Sequence, residues 1–283
     1  MAEAKTGSLS LEKPIYIRRW NDHQRVQHLV LVLSMALLFI TGFPIKFSNA
    51  PWAPFIMRLF GGFGNMLLAH KVGAVLLMLD GVYHLVYLLA YWRKYGPTWD
   101  MIPRVKDFKD AVQHGLYLVG LTEEGPKFDR YSYLEKFEYL AIFWGMPIMV
   151  VTGLALWFPG VAGSFLPRWV LDAFRIVHSN EALIALIALV FGHFFVVHFR
   201  PDVFPNNPVW LTGKIPLHLM AEEHPLELER MDLKKLGISP EEVHHLPGNK
   251  WSYNIPLIIT EIMIYTAITA ALLSVFVPLL LFK

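Results

Sequence analysis

Two apolar stretches of the chain carry a histidine at each end. HKVGAVLLMLDGVYH runs from His70 to His84, and HSNEALIALIALVFGH runs from His178 to His193. The histidines of each pair are fourteen and fifteen residues apart. Wound as α-helix, these intervals rise about 21 and 22 Å and return to about −40° and +60° of the starting direction. Each pair therefore lies loosely on one side of its helix, near opposite ends. Imidazole is a metal ligand and a proton carrier near neutral pH. If the two helices run in the same direction, His70 and His178 share one depth, and His84 and His193 share another. Two neutral imidazoles facing each other at matched depth can hold an iron between them, which is the arrangement of bis-histidine haem b.

Two further histidines lie at one side: His28 opens an earlier apolar run and His198 closes the last of this group. Five α-helical residues turn the direction by about 140°, so His193 and His198 face different neighbours. Three pairs are then geometrically open: His70 with His178, His84 with His193, and His28 with His198. With two haems instead of three, one of His28 or His84 pairs with His193. Taken singly, any of these six side chains could equally bond a neighbouring helix; the matched depths favour ligation. Lys71 beside His70, Arg175 before His178, Arg25 before His28 and Arg200 after His198 are candidate partners for haem propionates, although ordinary interfacial cations occupy such positions too. Gly73, Gly81 and Gly192 are small enough to admit a flat ring, a weak signal because glycine is common in membrane helix contacts.

The elements that must position these residues are membrane helices. Of 283 residues, 55% are hydrophobic and 17% charged, well to the apolar side of soluble domains. Five runs, roughly 29–47, 72–92, 139–158, 182–199 and 255–282, approach or exceed the ~20 residues that cross a bilayer core. They lack period-2 alternation, so helices are expected rather than a barrel. The fold class is therefore all-α, an integral membrane bundle of five transmembrane helices in one domain, 1–283, with longer charged loops at 93–136 and 200–252. No internal repeat of useful strength is visible. The first 25 residues are polar and the first apolar run is long enough to span, so no cleavable signal peptide is expected. Nineteen of the 25 Lys and Arg fall on the N-terminal side of the spans, which makes that face cytoplasmic and puts the C-terminus opposite. There is no cysteine, so this chain holds no thiolate-ligated iron–sulfur cluster and no covalently attached haem.

Four segments resemble the membrane cytochrome b subunits of formate dehydrogenase and nickel–iron hydrogenase. RVQHLVLVLSMALLFITGFP, with Arg25, His28, Thr41 and Gly42, is similar to their first span; LAHKVGAVLL, with His70, to their second; YLEKFEYLAIFWGMPIMVVTGLALWFP to the third; and IVHSNEALIALIALVFGHFFVVHFRPDVFP, with His178 and His193, to the fourth. The likeness covers about residues 15 to 205. It implies two b haems across the membrane, ligated by His70 with His178 and by His28 with His193, and electron exchange with quinone or menaquinone near the cytoplasmic-side haem. His84, His198 and the fifth run depart from that pattern. The two-helix, four-histidine spacing resembles instead the cytochrome b of bc complexes, in which His84 would pair with His193. The sequence supports both schemes, and a third haem would reconcile them.

Quinone reduction consumes protons as well as electrons. His23, Asp22 and His224 are the candidates for quinone contact on the N-terminal face, with Glu223 and Glu227 beside His224. Asp80, Glu181 and Glu261 are intramembrane carboxylates whose commoner role is a helix–helix hydrogen bond. His244 and His245 form a weaker candidate metal site. The expected function is a haem b subunit of a respiratory complex in a bacterial or archaeal inner membrane. It would pass electrons between a quinone pool and iron–sulfur or multihaem cytochrome subunits, the complex as a whole being the oxidoreductase. Nothing points to nucleic acid. The rival readings are a histidine-dependent metal or proton transporter and a haem-free anchor.

Overall fold

The computed structural model of the chain describes residues 15–200, 203–204 and 206–236. A short strand, β1 (Tyr16–Arg18), precedes α1 (Asp22–Lys46), a short α2 (Ala53–Leu59), α3 (Phe63–Tyr95), α4 (Val105–Leu118), α5 (Tyr133–Trp157), a short α6 (Pro159–Gly163) and α7 (Arg168–Ala188). The last of these continues as a π-helix, Leu189–Phe199. α1, α3, α5 and α7 with its π extension are long and apolar enough to cross a membrane. The fifth expected span, 255–282, lies outside the described residues, as do His244, His245 and Glu261.

The observed helices are longer than the apolar runs because the signals that start and stop them sit outside those runs. Asn21 caps α1, its side chain accepting from Gln24 N while Gln24 reciprocates on the Asn21 backbone. Ser132 and Glu135 close the same reciprocal box on α5, satisfying amides that have no partner inside the helix. At the other end of α3, Gly96 takes a positive φ and stops it after Tyr95. At most 17% of the most apolar window of each span is buried. Many of the rest are exposed, Leu33, Ile40, Leu79 and Trp144 among them, as suits helices whose outer faces lipid tails solvate as well as another leucine would.

The chain from α1 to α7 is built twice. α1 packs on α3, and α5 packs on α7, and each hairpin carries a short helix in its connection. Gln27 and Thr41 stand fourteen residues apart on α1, as do Glu138 and Thr152 on α5. Each threonine is followed by glycine, Gly42 and Gly153. His70 and His84 are fourteen apart, and His178 and His193 fifteen. The extra residue in the second copy falls where the helix widens into π geometry, which takes one more residue per turn. His193 therefore keeps the phase relative to His178 that His84 has relative to His70. No repeat was expected from the sequence, because it resides in a few polar positions set in interchangeable apolar ones.

The N-terminal face carries a compact cap. β1 pairs antiparallel with β2 (Lys214–Pro216), Ile17 opposite Ile215. β2 is flanked by α8 (Val209–Thr212) and α9 (Leu217–Glu223), and α10 (Pro225–Arg230) follows. This ribbon is a small addition to the all-α expectation. Ile17, Val203, Val209, Ile215, Leu217, Leu219, Met220 and Leu228 form its core. Gly213 must be glycine: its φ is +74°, and an added Cβ would lie 2.6 Å from the Trp20 carbonyl oxygen. The cap is tied to the approach to α5 through Glu227, whose two carboxylate oxygens accept from Arg19 at 2.5 Å and Arg130 at 2.6 Å.

Candidate functional site

At the far end of the bundle the two copies bring matched histidines together, their ring planes 68° apart. The rings of His70 on α3 and His178 on α7 have centroids 6.5 Å apart. Behind each ring stands a threonine of the preceding span. Thr41 Oγ1 lies 2.9 Å from His70 Nδ1 and donates its own proton to the Leu37 carbonyl at 2.6 Å. Thr152 Oγ1 lies 3.0 Å from His178 Nδ1 and donates to the Ile148 carbonyl at 2.7 Å. A hydroxyl has one proton to give, so in both places the oxygen accepts from the imidazole Nδ1–H. That fixes the tautomer and leaves Nε2, with its lone pair, as the free nitrogen of each ring. The neighbouring glycines let the helices close on the rings: a Cβ at Gly42 would sit 3.1 Å from His70 Cε1, and one at Gly153 3.0 Å from His178 Cε1.

Toward the N-terminal face a second pair forms. His28 on α1 and His193 on the π segment have ring centroids 6.2 Å apart. His28 is held by ring contacts with Trp20 at 5.3 Å and Trp210 at 6.0 Å, and its buried Nδ1 has no hydrogen-bond partner. His193 Nδ1 lies 2.8 Å from Glu138 Oε2. Metal–imidazole bonds of about 2 Å on either side of one ion, added to the half-width of each ring, separate centroids by roughly 6 Å. Both separations therefore fit a metal between two imidazoles.

His84 is placed differently. Its Nδ1 lies 2.9 Å from Gln27 Oε1 and its Nε2 3.0 Å from the Tyr139 hydroxyl, so both ring nitrogens are already hydrogen-bonded. Gln27 is the counterpart of Glu138 in the first copy, and Tyr139 is the counterpart of His28 in the second. His198 packs edge-on against Phe194. The structure thus brings together His70 with His178 and His28 with His193, and not His84 with His193.

The flanking candidates divide similarly. Lys71 lies with Nζ 5.1 Å over the Trp157 ring, and Arg175 is exposed. Arg25 pairs with Asp22 at 3.1 Å, and Arg200 is bonded to Glu223. His23 Nδ1 meets the Tyr83 hydroxyl at 2.7 Å on the surface. His224 is enclosed in the cap, its Nδ1 donating to the Asp129 carbonyl at 2.7 Å. Burial, and then the Arg19 guanidinium, hold its imidazole below the usual histidine range. Gly73 and Gly81 admit no ring; they give room to Leu38 and Met146. Asp80 is buried with Oδ1 unpartnered, and Glu181 packs at Gly145.

Thr41, Thr152, Glu138 and Gln27 stand behind the imidazoles, and histidine spacing alone did not point to them. The available signal was the equal interval from Gln27 to Thr41 and from Glu138 to Thr152. Among known families, the sequence model described as prokaryotic cytochrome b561 matches residues 19–205. No curated protein matches the chain.

Proposed function

Because the chain belongs to the prokaryotic cytochrome b561 family, that of the hydrogenase and formate dehydrogenase cytochromes b, we propose that it binds two b haems and carries electrons across its membrane. The family makes it a multi-pass membrane protein of electron transport that uses haem b. In our reading His70 and His178 ligate one haem on the non-cytoplasmic side. His28 and His193 ligate the other on the cytoplasmic side. The observation that carries this is the pair of ring separations, 6.5 and 6.2 Å. Each haem, when bound, accepts and returns one electron.

The protein's own contribution is to hold Nε2 lone pairs in place. Thr41 and Thr152 orient His70 and His178, Glu138 orients His193, and the two tryptophans orient His28. Gln27 and Tyr139 keep His84 hydrogen-bonded at both nitrogens and so out of ligation. Quinone exchange belongs at the cytoplasmic-side haem, where protons are available from water and where His23, Asp22 and Tyr83 lie on the surface. The partners are iron–sulfur or multihaem subunits, since a chain without cysteine carries no such cluster itself. A metal transporter would gather its ligands in one place; among the described residues no three His, Asp or Glu converge that way.

The test is haem b per polypeptide in purified wild-type protein and in single alanine variants. Two haems are expected, one lost in His70→Ala or His178→Ala and the other in His28→Ala or His193→Ala, with both kept in His84→Ala. Loss of a haem in His84→Ala but not in His28→Ala would favour the bc-like pairing. Three haems would restore a His28–His198 site. A colourless wild-type protein would end the reading.

A further inference from the structure

The four proposed ligands differ in what stands behind them. His70 and His178 each give Nδ1–H to a neutral threonine hydroxyl, at 2.9 and 3.0 Å. His28 Nδ1 has no partner. His193 alone gives Nδ1–H to a carboxylate, Glu138, at 2.8 Å. The two side chains are 28% and 32% exposed, so bulk water screens the pair only in part. A carboxylate behind a ligating imidazole raises the basicity of the metal-bound nitrogen and tunes the metal, and hydrogen bonding behind an axial ligand is one of the protein's levers on haem potential. The ferric site carries one more positive charge than the ferrous site, so a negative partner favours the ferric form and lowers the potential.

We propose that Glu138, acting through His193 Nδ1, is the positioning residue that sets the potential of the cytoplasmic-side haem and separates it from that of the other haem. The proposal rests on the reading of His193 as a ligand. One electron enters or leaves at the iron, and the proposal moves no proton.

The molecule contains its own control for the substitution. At the position matching Glu138 in the first copy stands Gln27, whose amide oxygen takes the same hydrogen bond from His84 Nδ1 at 2.9 Å. An amide thus fits this geometry, and Glu138→Gln removes charge while keeping the bond. Redox titration at fixed pH, with haem b per polypeptide measured on the same samples, reads the effect. In Glu138→Gln two haems are expected. One couple moves positive by at least tenfold in its equilibrium constant, 59 mV for a one-electron couple, and the other does not move. Glu138→Asp and Glu138→Asn form a second comparison of nearly equal size: the Asn variant shifts relative to the Asp variant even if Glu138→Gln loads poorly. Two haems with both couples unmoved would overturn the proposal, and so would equal shifts of both. Wild-type protein without haem would instead overturn the ligand reading on which it rests.

Discussion

Replacing Thr41 with valine keeps the shape of the side chain and removes one hydroxyl. That hydroxyl accepts from His70 Nδ1 and donates to the Leu37 carbonyl. The carbonyl retains its helical bond, so the loss falls on the imidazole. Without haem the ring of His70 is free to turn toward another acceptor. With Nε2 on iron it cannot turn, and Nδ1–H is left facing a methyl group. A buried donor without a partner costs about 1–3 kcal/mol, which at 1.4 kcal/mol per decade is roughly a 5- to 150-fold weaker hold on that haem. Thr152→Val loses the equivalent bond to His178. Because both threonines would act on the same haem through rings 6.5 Å apart, the double variant is expected to hold it more weakly than either single one, without strict additivity. The assay uses a His193→Ala background, in which only the His70–His178 haem remains, and follows its transfer to excess apomyoglobin. Transfer rates unchanged in both single variants would refute the role given to the hydroxyls.

Gly42→Ala places a Cβ 3.1 Å from His70 Cε1, and the same transfer assay should show loss of that haem at an overpacking cost of about 1–3 kcal/mol. Glu227→Gln removes the negative partner of Arg19 and Arg130. Breaking a buried pair in this way costs about 3–5 kcal/mol, so limited proteolysis should reach residues 203–233 sooner while haem content holds. His224 is buried beside Arg19, Glu135, Glu227 and the Asp129 carbonyl, and burial first, then Arg19, hold its folded-state pKa below the usual histidine value. The unfolded cap then binds the extra proton more readily. Stability contributed by neutral His224 is present above that value and declines as pH falls through it and below. Amide protection in the cap, the exchange rate taken relative to the intrinsic rate at each pH, should fall on acidification, less so in His224→Gln.

Much of this was legible beforehand, for identifiable reasons. Unbroken apolar length announces a membrane helix whatever its neighbours do, so α1, α3, α5 and α7 were found at their centres and missed only at their capped ends. The histidines stood out because an ionisable group in an apolar run is costly. Of their partners, Thr41 enters only through the Thr-Gly of the family resemblance, and Thr152 not at all, since threonine is an ordinary residue for a membrane helix until an imidazole meets it. Glu138 carries no mark in the sequence beyond its place at the edge of the third apolar run. Helical phase counted at 100° per residue could not choose between His28 and His84 for His193, because the π segment changes the count after Ala188. Gly73 and Gly81 suggest ring clearance only by their nearness in sequence to histidines; they face Leu38 and Met146, and it is Gly42 and Gly153, on the neighbouring helices, that stand against the imidazoles.

The doubled architecture has a consequence for how such a bundle could arise and diverge. A single hairpin with Thr-Gly on one arm and histidine on the other would, on pairing with an identical copy, already complete the His70–His178 arrangement, because that pair joins equivalent residues of the two halves. The His28–His193 arrangement joins non-equivalent residues, so an identical pair would make it twice, side by side. Joining the halves in one polypeptide lifts that obligation. The second half is free to carry Tyr139 where the first carries His28, and the first to carry Gln27 where the second carries Glu138. One end of the molecule thus keeps the symmetry of a homodimer, while the other brings together the non-equivalent His28 and His193, off that axis.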